Sequence, residues 1–123
     1  MPALNALVEQ YHKEVTFTLI YIMEAHASDE WPIGNAVSVA QHVSLDQRLF
    51  AARALQRTLH PHAAIRLLVD TIENTFNESY SSWPTRAWLI KYGVVHHKSD
   101  PGNGNGSTIN INDLESCIEN CMK

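Results

Sequence analysis

Residues 15–23, VTFTLIYIM, constrain the fold more than any other stretch, because they form a nearly unbroken run of β-branched, aromatic and aliphatic side chains. A run this short and this apolar reads as a strand buried on both faces of a parallel sheet, where the usual in-and-out alternation is lost. Parallel strands need crossover helices, and the flanking sequence supplies them. Leu4, Leu7, Val8 and Tyr11 recur at helical spacing, which predicts an amphipathic helix over residues 3–13. Ser44-Leu45-Asp46-Gln47 matches the S-x-x-Q capping box and opens a second helix through Leu45, Leu49, Ala52 and Leu55, stopping near His60-Pro61.

Residues 64–70 read as a second short apolar strand, followed by a weakly helical polar stretch, 71–82, that ends at Trp83-Pro84. Residues 86–91 and 94–98 are two strands joined across Tyr92-Gly93, a hairpin signal. The segment SDPGNGNGS, 99–107, is a loop by composition, and Asn112 and Glu115 are expected to cap a last helix carrying Leu114 and Ile118. The order α-β-α-β-α-β-β-α describes an α/β/α sandwich on a mixed sheet with a hairpin at one side. At 123 residues and 45% hydrophobic, the chain is expected to form a single domain over residues 1–123.

Nine Lys+Arg against 13 Asp+Glu give a net charge of −4, with no basic run. Nucleic acid is therefore not an expected partner. No apolar stretch approaches the roughly 20 residues that span a bilayer, and Met1-Pro2-Ala3 begins no signal peptide, so the chain as written is expected to be soluble and cytoplasmic. Cys117 and Cys121 stand four apart on one helical face, about 6 Å between Cβ atoms, which suits a loose thiol pair or a metal clip better than an unstrained disulfide. Half-buried, unreactive thiols are the plainer reading. His60, His62, His96 and His97 have no Cys or acidic partner at ligand spacing, and no metal is expected.

The chemically dense segment is Tyr21-Ile22-Met23-Glu24-Ala25-His26-Ala27-Ser28-Asp29-Glu30-Trp31, which leaves the carboxyl end of the first strand, where open α/β sheets collect their sites. Glu24 and His26, two apart in extended chain, can face one side, so that the carboxylate orients an imidazole acting as a proton donor near neutral pH. The other reading is that His26 and Asp29 cap the loop and hydrogen-bond backbone amides. His42, just before the second helix, can be aimed at the same rim or be a surface histidine.

This segment closely resembles the Y-I-x-E-A-H-x-S-D-G-W signature of the iodothyronine deiodinases, selenoenzymes with a thioredoxin-like fold. The likeness continues through His42, Asp46-Gln47-Arg48-Leu49, Ala51-Ala52, Val69-Asp70-Thr71 and Pro84-Thr85-Arg86. The resemblance implies reductive removal of iodide from an iodinated phenol such as a thyroid hormone, with a thiol reductant as electron donor. It implies Glu24 and His26 as catalytic residues, His26 supplying or relaying the proton and Glu24 holding that histidine in place. His42, with Ser28, Asp29, Trp31 and Arg86, is implied on the substrate side. A homodimer, and an N-terminal membrane anchor on a longer protein with a cytosol-facing domain, are compatible with the family.

The nucleophile, a selenocysteine or a cysteine, is expected between a first strand and the first helix, a few residues before Met1. Met1 is accordingly expected to be a false start downstream of an in-frame UGA, and the thioredoxin-like domain to lack its first, central strand. Neither Cys117 nor Cys121 is expected to replace the nucleophile, and no cofactor is expected within the chain. Glu30 stands where the family has glycine, and the 99–107 loop lacks the family's basic pattern. Two other readings share the scaffold: a peroxiredoxin-like thiol or selenol oxidoreductase, and a non-catalytic thioredoxin-like binding module.

Overall fold

The structure, a computed structural model, describes residues 1–24, 40–100 and 109–123. Its elements are α1 (Pro2–Tyr11), β1 (Phe17–Tyr21), α2 (Leu45–Leu59), β2 (Ile65–Val69), α3 (Thr75–Tyr80), β3 (Trp88–Lys91), β4 (Val94–Lys98) and α4 (Ile111–Met122). The order is the one that hydrophobic periodicity predicts, and the chain is of the α/β class. β1 and β2 run parallel, Phe17 opposite Ile65 through Tyr21 opposite Val69, and the Asp70 amide extends the ladder by donating to the Tyr21 carbonyl at 2.9 Å. β3 and β4 are antiparallel, with an irregularity between Leu89 and Ile90. Among the described residues these are two separate two-stranded sheets. Parallel and antiparallel pairing in this order is consistent with a thioredoxin-like arrangement.

The β3–β4 turn places Tyr92 at φ 52° and Gly93 at φ 74°. Left-handed conformations at both central residues match the right-handed twist of a hairpin, and glycine takes the second without a Cβ clash. Tyr92 tolerates the first with its ring almost wholly in solvent.

The centre of the core differs from what the apolar run suggests. No residue of β1 is fully buried and Thr18 is exposed, so β1 is half-covered and not sandwiched on both faces. Four buried apolar side chains cluster where the first and last helices meet: Leu7 and Tyr11 from α1, Leu114 and Ile118 from α4. Val15, Phe17, Ala87 and Leu89 pack against them, so this cluster joins the entrance of β1 to the inner side of β3. Tyr11 carries a polar handle into it. Its hydroxyl lies 3.2 Å from Glu115 Oε1 and 3.0 Å from Glu119 Oε1, and Gln10 Nε2 donates to it at 2.9 Å. Burial first, and then the two carboxylates, push the phenol up to about 12.

Helix ends explain the boundaries. At α2, Ser44 Oγ accepts from the Gln47 amide at 3.2 Å, while Gln47 Oε1 accepts from the Val43 amide at 2.9 Å. This is the capping box expected from sequence, with the return bond moved one residue back. At α4 the cap is Asn110, whose Oδ1 accepts from the Asn112 and Asp113 amides at 3.0 and 3.3 Å. The expected caps, Asn112 and Glu115, are already inside the helix; the extended Asn110 (φ −76°, ψ 107°) is the residue shaped to cap. α1 is tied to the α2–β2 connection by Asn5, which donates to the His60 carbonyl at 3.0 Å and accepts from the His62 amide at 2.8 Å.

The α1–α4 contact generates a stability prediction. Ile118, 2% exposed, replaced by alanine removes buried methyl groups from the centre of the cluster. The expected loss is about 2–5 kcal/mol in a chemical-denaturation curve followed by circular dichroism. Met122→Ala on the exposed side of the same helix should shift the midpoint little. Equal losses from the two variants would mean that the cluster is not what holds α4.

Candidate functional site

Because β1 and β2 are parallel, their carboxyl ends lie side by side, and the segments leaving the two strands meet at the same edge. Tyr21 is the last residue of β1 and Glu24 stands three residues later; Asp70 and Thr71 come directly after β2. α2 enters above them, bringing His42 just before its cap and Arg48 in its first turns. The Glu24 backbone is fixed by a reciprocal pair of bonds, its amide donating to Gln41 Oε1 and its carbonyl accepting from Gln41 Nε2, each at 3.0 Å.

His42 is only 7% exposed and both of its ring nitrogens are engaged. Nδ1 accepts from Arg48 Nε at 3.1 Å. Nε2 faces the Tyr21 hydroxyl at 3.5 Å and Glu24 Oε1 at 3.8 Å, and the Tyr21 hydroxyl in turn donates to Glu24 Oε1. The Tyr21 and His42 rings are tilted with centroids 5.5 Å apart. Arg48 is 1% exposed, and its Nη1 donates to the Thr71 carbonyl at 2.5 Å and reaches the Asp70 carbonyl at 3.5 Å. The buried Asp70 carboxylate is used elsewhere, accepting from the Phe76 and Asn77 amides at 2.9 and 3.0 Å and so holding the first turn of α3.

The electrostatics favour uncharged forms at the centre of this group. Burial raises the Glu24 carboxyl above its ordinary range, an effect that the positive charge of Arg48 only partly offsets. Burial lowers His42, and Arg48 lowers it further. A proton shared by the two side chains is therefore held on Glu24 more readily, and on His42 less readily, than their ordinary values dictate. A shallow cavity of about 460 Å³ opens beside His42, lined also by Gln41, Gln47, Phe50 and Ala51.

Of the residues singled out in the sequence, the structure brings Glu24 and His42 together. Arg86 belongs to the approach to β3, with its guanidinium 5.9 Å from the Trp88 ring centroid and its Nε without a hydrogen-bond acceptor among the described residues. His26, Ser28, Asp29 and Trp31 lie outside the described residues. Cys117 and Cys121 are free, half-buried thiols on α4, whose packing partners are α1, β3 and β4, away from the His42 group. Among the described residues no group of three or more His, Cys, Asp or Glu side chains is placed to hold a metal, and no helix is long and apolar enough to cross a membrane.

Tyr21 and Arg48 stand within the segments that carry the family likeness, but sequence reasoning assigned neither a role at the site. The signal for Arg48 was its spacing: with Ala52 and Leu55 it falls on the i, i+4, i+7 stripe that faces inward, where a charge requires a partner.

Comparison with known proteins points in one direction. A family model described as iodothyronine deiodinase matches residues 1–120. Thyroxine 5-deiodinase of Ovis aries is 37% identical over 103 residues, 83% of this chain and 34% of that protein. The Homo sapiens thyroxine 5-deiodinase is 36% identical over 103 residues, 83% of this chain and 33% of that protein. Type I iodothyronine deiodinase of Xenopus laevis is 33% identical over 98 residues, 80% of this chain and 38% of that protein. The chain spans about a third of the length of the curated relatives it matches.

The depressed His42 value sets a pH dependence. In the unfolded chain a histidine binds its proton near pH ~6.5, whereas folded His42 resists protonation until lower pH. Just below ~6.5 the unfolded state thus holds more protons, so the His42 contribution to stability is present above that value and is lost as pH falls toward the folded pKa. Glu24, raised on folding, contributes with the opposite sign, its share being lost as pH rises through the folded value. Unfolding curves at about pH 5.5 and 7.5 should therefore differ less in His42→Asn than in the wild type, and an unchanged difference would contradict the buried neutral imidazole.

Proposed function

Since the chain belongs to the iodothyronine deiodinase family, we propose that the protein containing it removes iodide reductively from an iodothyronine or a closely related iodinated phenol. Electrons come from a thiol reductant, and a selenocysteine preceding Met1 is the proposed nucleophile. The observation that carries the reading is the Tyr21–Glu24–His42 group at the carboxyl ends of two parallel strands, where a half-buried acid is kept ready to hold a proton next to a cavity.

The chemistry needs such a group. A selenolate takes iodine from the ring, the carbon–iodine bond breaks, and the carbon must receive a proton as the selenenyl iodide forms. Two equivalents of thiol then reduce that species, restoring the selenol and releasing a disulfide and hydrogen iodide. A soft, low-pKa chalcogen suits a polarisable iodine. In this scheme Glu24 is the proton store, Tyr21 is the hydroxyl in contact with it, and His42 holds the Tyr21 oxygen through Nε2. His26 is the proposed last donor to the ring carbon, with Ser28, Asp29, Trp31 and Arg86 as proposed substrate contacts. The relatives' names favour this reading over a peroxide-reducing or a non-catalytic one.

Iodide release from thyroxine by the full-length protein with dithiothreitol tests it. Tyr21→Phe should lower kcat by about 10²-fold with KM little changed, the usual scale for losing a general acid–base group. Glu24→Gln should cost less than His26→Ala, which should abolish turnover. Absence of iodide release above a thiol blank in the wild type would overturn the activity, and a fully active Tyr21→Phe would overturn the proton route.

A further inference from the structure

We propose that Arg48 is a positioning residue that locks His42 as the neutral imidazole protonated at Nε2, so that this histidine works as a hydrogen-bond donor and not as an imidazolium. The assignment of a role at this site rests on the proposed deiodination; the tautomer itself does not.

The tautomer is set by donors and acceptors. A guanidinium has only N–H donors and remains charged in a protein, so the contact of Arg48 Nε with His42 Nδ1 at 3.1 Å requires a lone pair on Nδ1. The single hydrogen of the neutral ring is then on Nε2. Its surroundings accept it: the Tyr21 hydroxyl donates to Glu24 Oε1, which leaves the phenol oxygen free to accept from Nε2 at 3.5 Å. Hydrogens therefore point one way along the chain, from Arg48 to His42, from His42 to Tyr21, and from Tyr21 to Glu24.

Arg48 cannot easily turn away to admit a second proton on Nδ1. It is 1% exposed, on the inner stripe of α2 with Ala52, and its Nη1 is held by the Thr71 and Asp70 carbonyls. Among the described residues, the titratable and charged groups around the imidazole are Tyr21 at the end of β1, Glu24 after it, Arg48 from α2, and Asp70 after β2, which acts through Arg48. A protonated Nδ1 would set N–H against N–H beside a permanent cation, with the side chain only 2% exposed to solvent.

The arrangement is the reverse of the familiar one, in which a carboxylate or carbonyl accepts from the distal nitrogen and makes a histidine a better base. A cationic donor in that place makes His42 a poor base and its Nε2–H a better donor, the behaviour of a neutral imidazole that polarises and does not protonate.

The test is nitrogen NMR of the full-length protein carrying nitrogen-15 histidine, with the His42 signals identified by their loss in His42→Gln. The wild type should show a bare Nδ1 and a protonated Nε2, and should titrate below the range of an ordinary histidine. Arg48→Met should release the ring to a mixture of tautomers and raise its titration midpoint above that of the wild type, burial alone still holding it down, and any acid limb of kcat should move up with it. Arg48→Lys, keeping a cationic donor, should restore part of the Nε2–H population. A protonated Nδ1 or an ordinary titration in the wild type would overturn the proposal even if Arg48→Met failed to fold, as would an Arg48→Met spectrum identical to wild type. Loss of deiodination with the Nε2–H spectrum intact would instead count against the proposed function alone.

Discussion

A guanidinium buried to 1% exposure is the interaction on which the functional end of this molecule depends. Removing such a charge from water is costly, and the cost is offset only when acceptors are waiting in fixed positions. Here they are an imidazole nitrogen and the backbone carbonyls just after β2, while the Asp70 and Glu24 carboxylates stabilise the cation through the field. The imidazole and the carbonyls belong to different parts of the fold. Arg48 thus ties the first turns of α2 to the end of β2 and to the segment that carries His42, and the register between β1 and β2 then decides where Tyr21 and Glu24 stand. Asp70 works on both sides of this junction, its amide closing the β1–β2 ladder and its carboxylate starting α3.

Much of the architecture could be read from the sequence, because element order is dictated by hydrophobic period and punctuation. The Ser44 cap and the Tyr92-Gly93 turn were legible from a few residues each. Burial was harder. Residues 15–23 look like a fully enclosed strand, yet the enclosed apolar side chains lie on helices, most of them on α1 and α4, since hydrophobicity identifies what prefers to be covered and not what covers it. The cap of α4 fell two residues early because Asn110 and Asn112 are chemically alike and only backbone conformation separates them.

At the site, Glu24 and His42 stood out as polar residues in suggestive places. Tyr21 and Arg48 did not, for opposite reasons: the tyrosine merges with the apolar strand that it ends, and the arginine is one of three on an amphipathic helix. Both are revealed by hydrogen-bond partners distant in sequence, such as Arg48 with Thr71. The cavity wall obeys the same rule, since Gln41 shapes the site by pinning the Glu24 backbone and not by any property legible in its own neighbourhood.

The seam between α1 and α4 has a bearing on how the chain is made. Leu7 and Tyr11 find their cover in Leu114 and Ile118, and the Tyr11 hydroxyl reaches across 104 and 108 positions to Glu115 and Glu119. During synthesis the first half of that seam emerges long before the second. Closing so long a loop is slow compared with local helix or hairpin formation, and the apolar face of α1 stays open in the interval. Nascent chains of this kind are natural clients for chaperones at the ribosome exit, and ribosomal pauses late in the message would prolong their exposure.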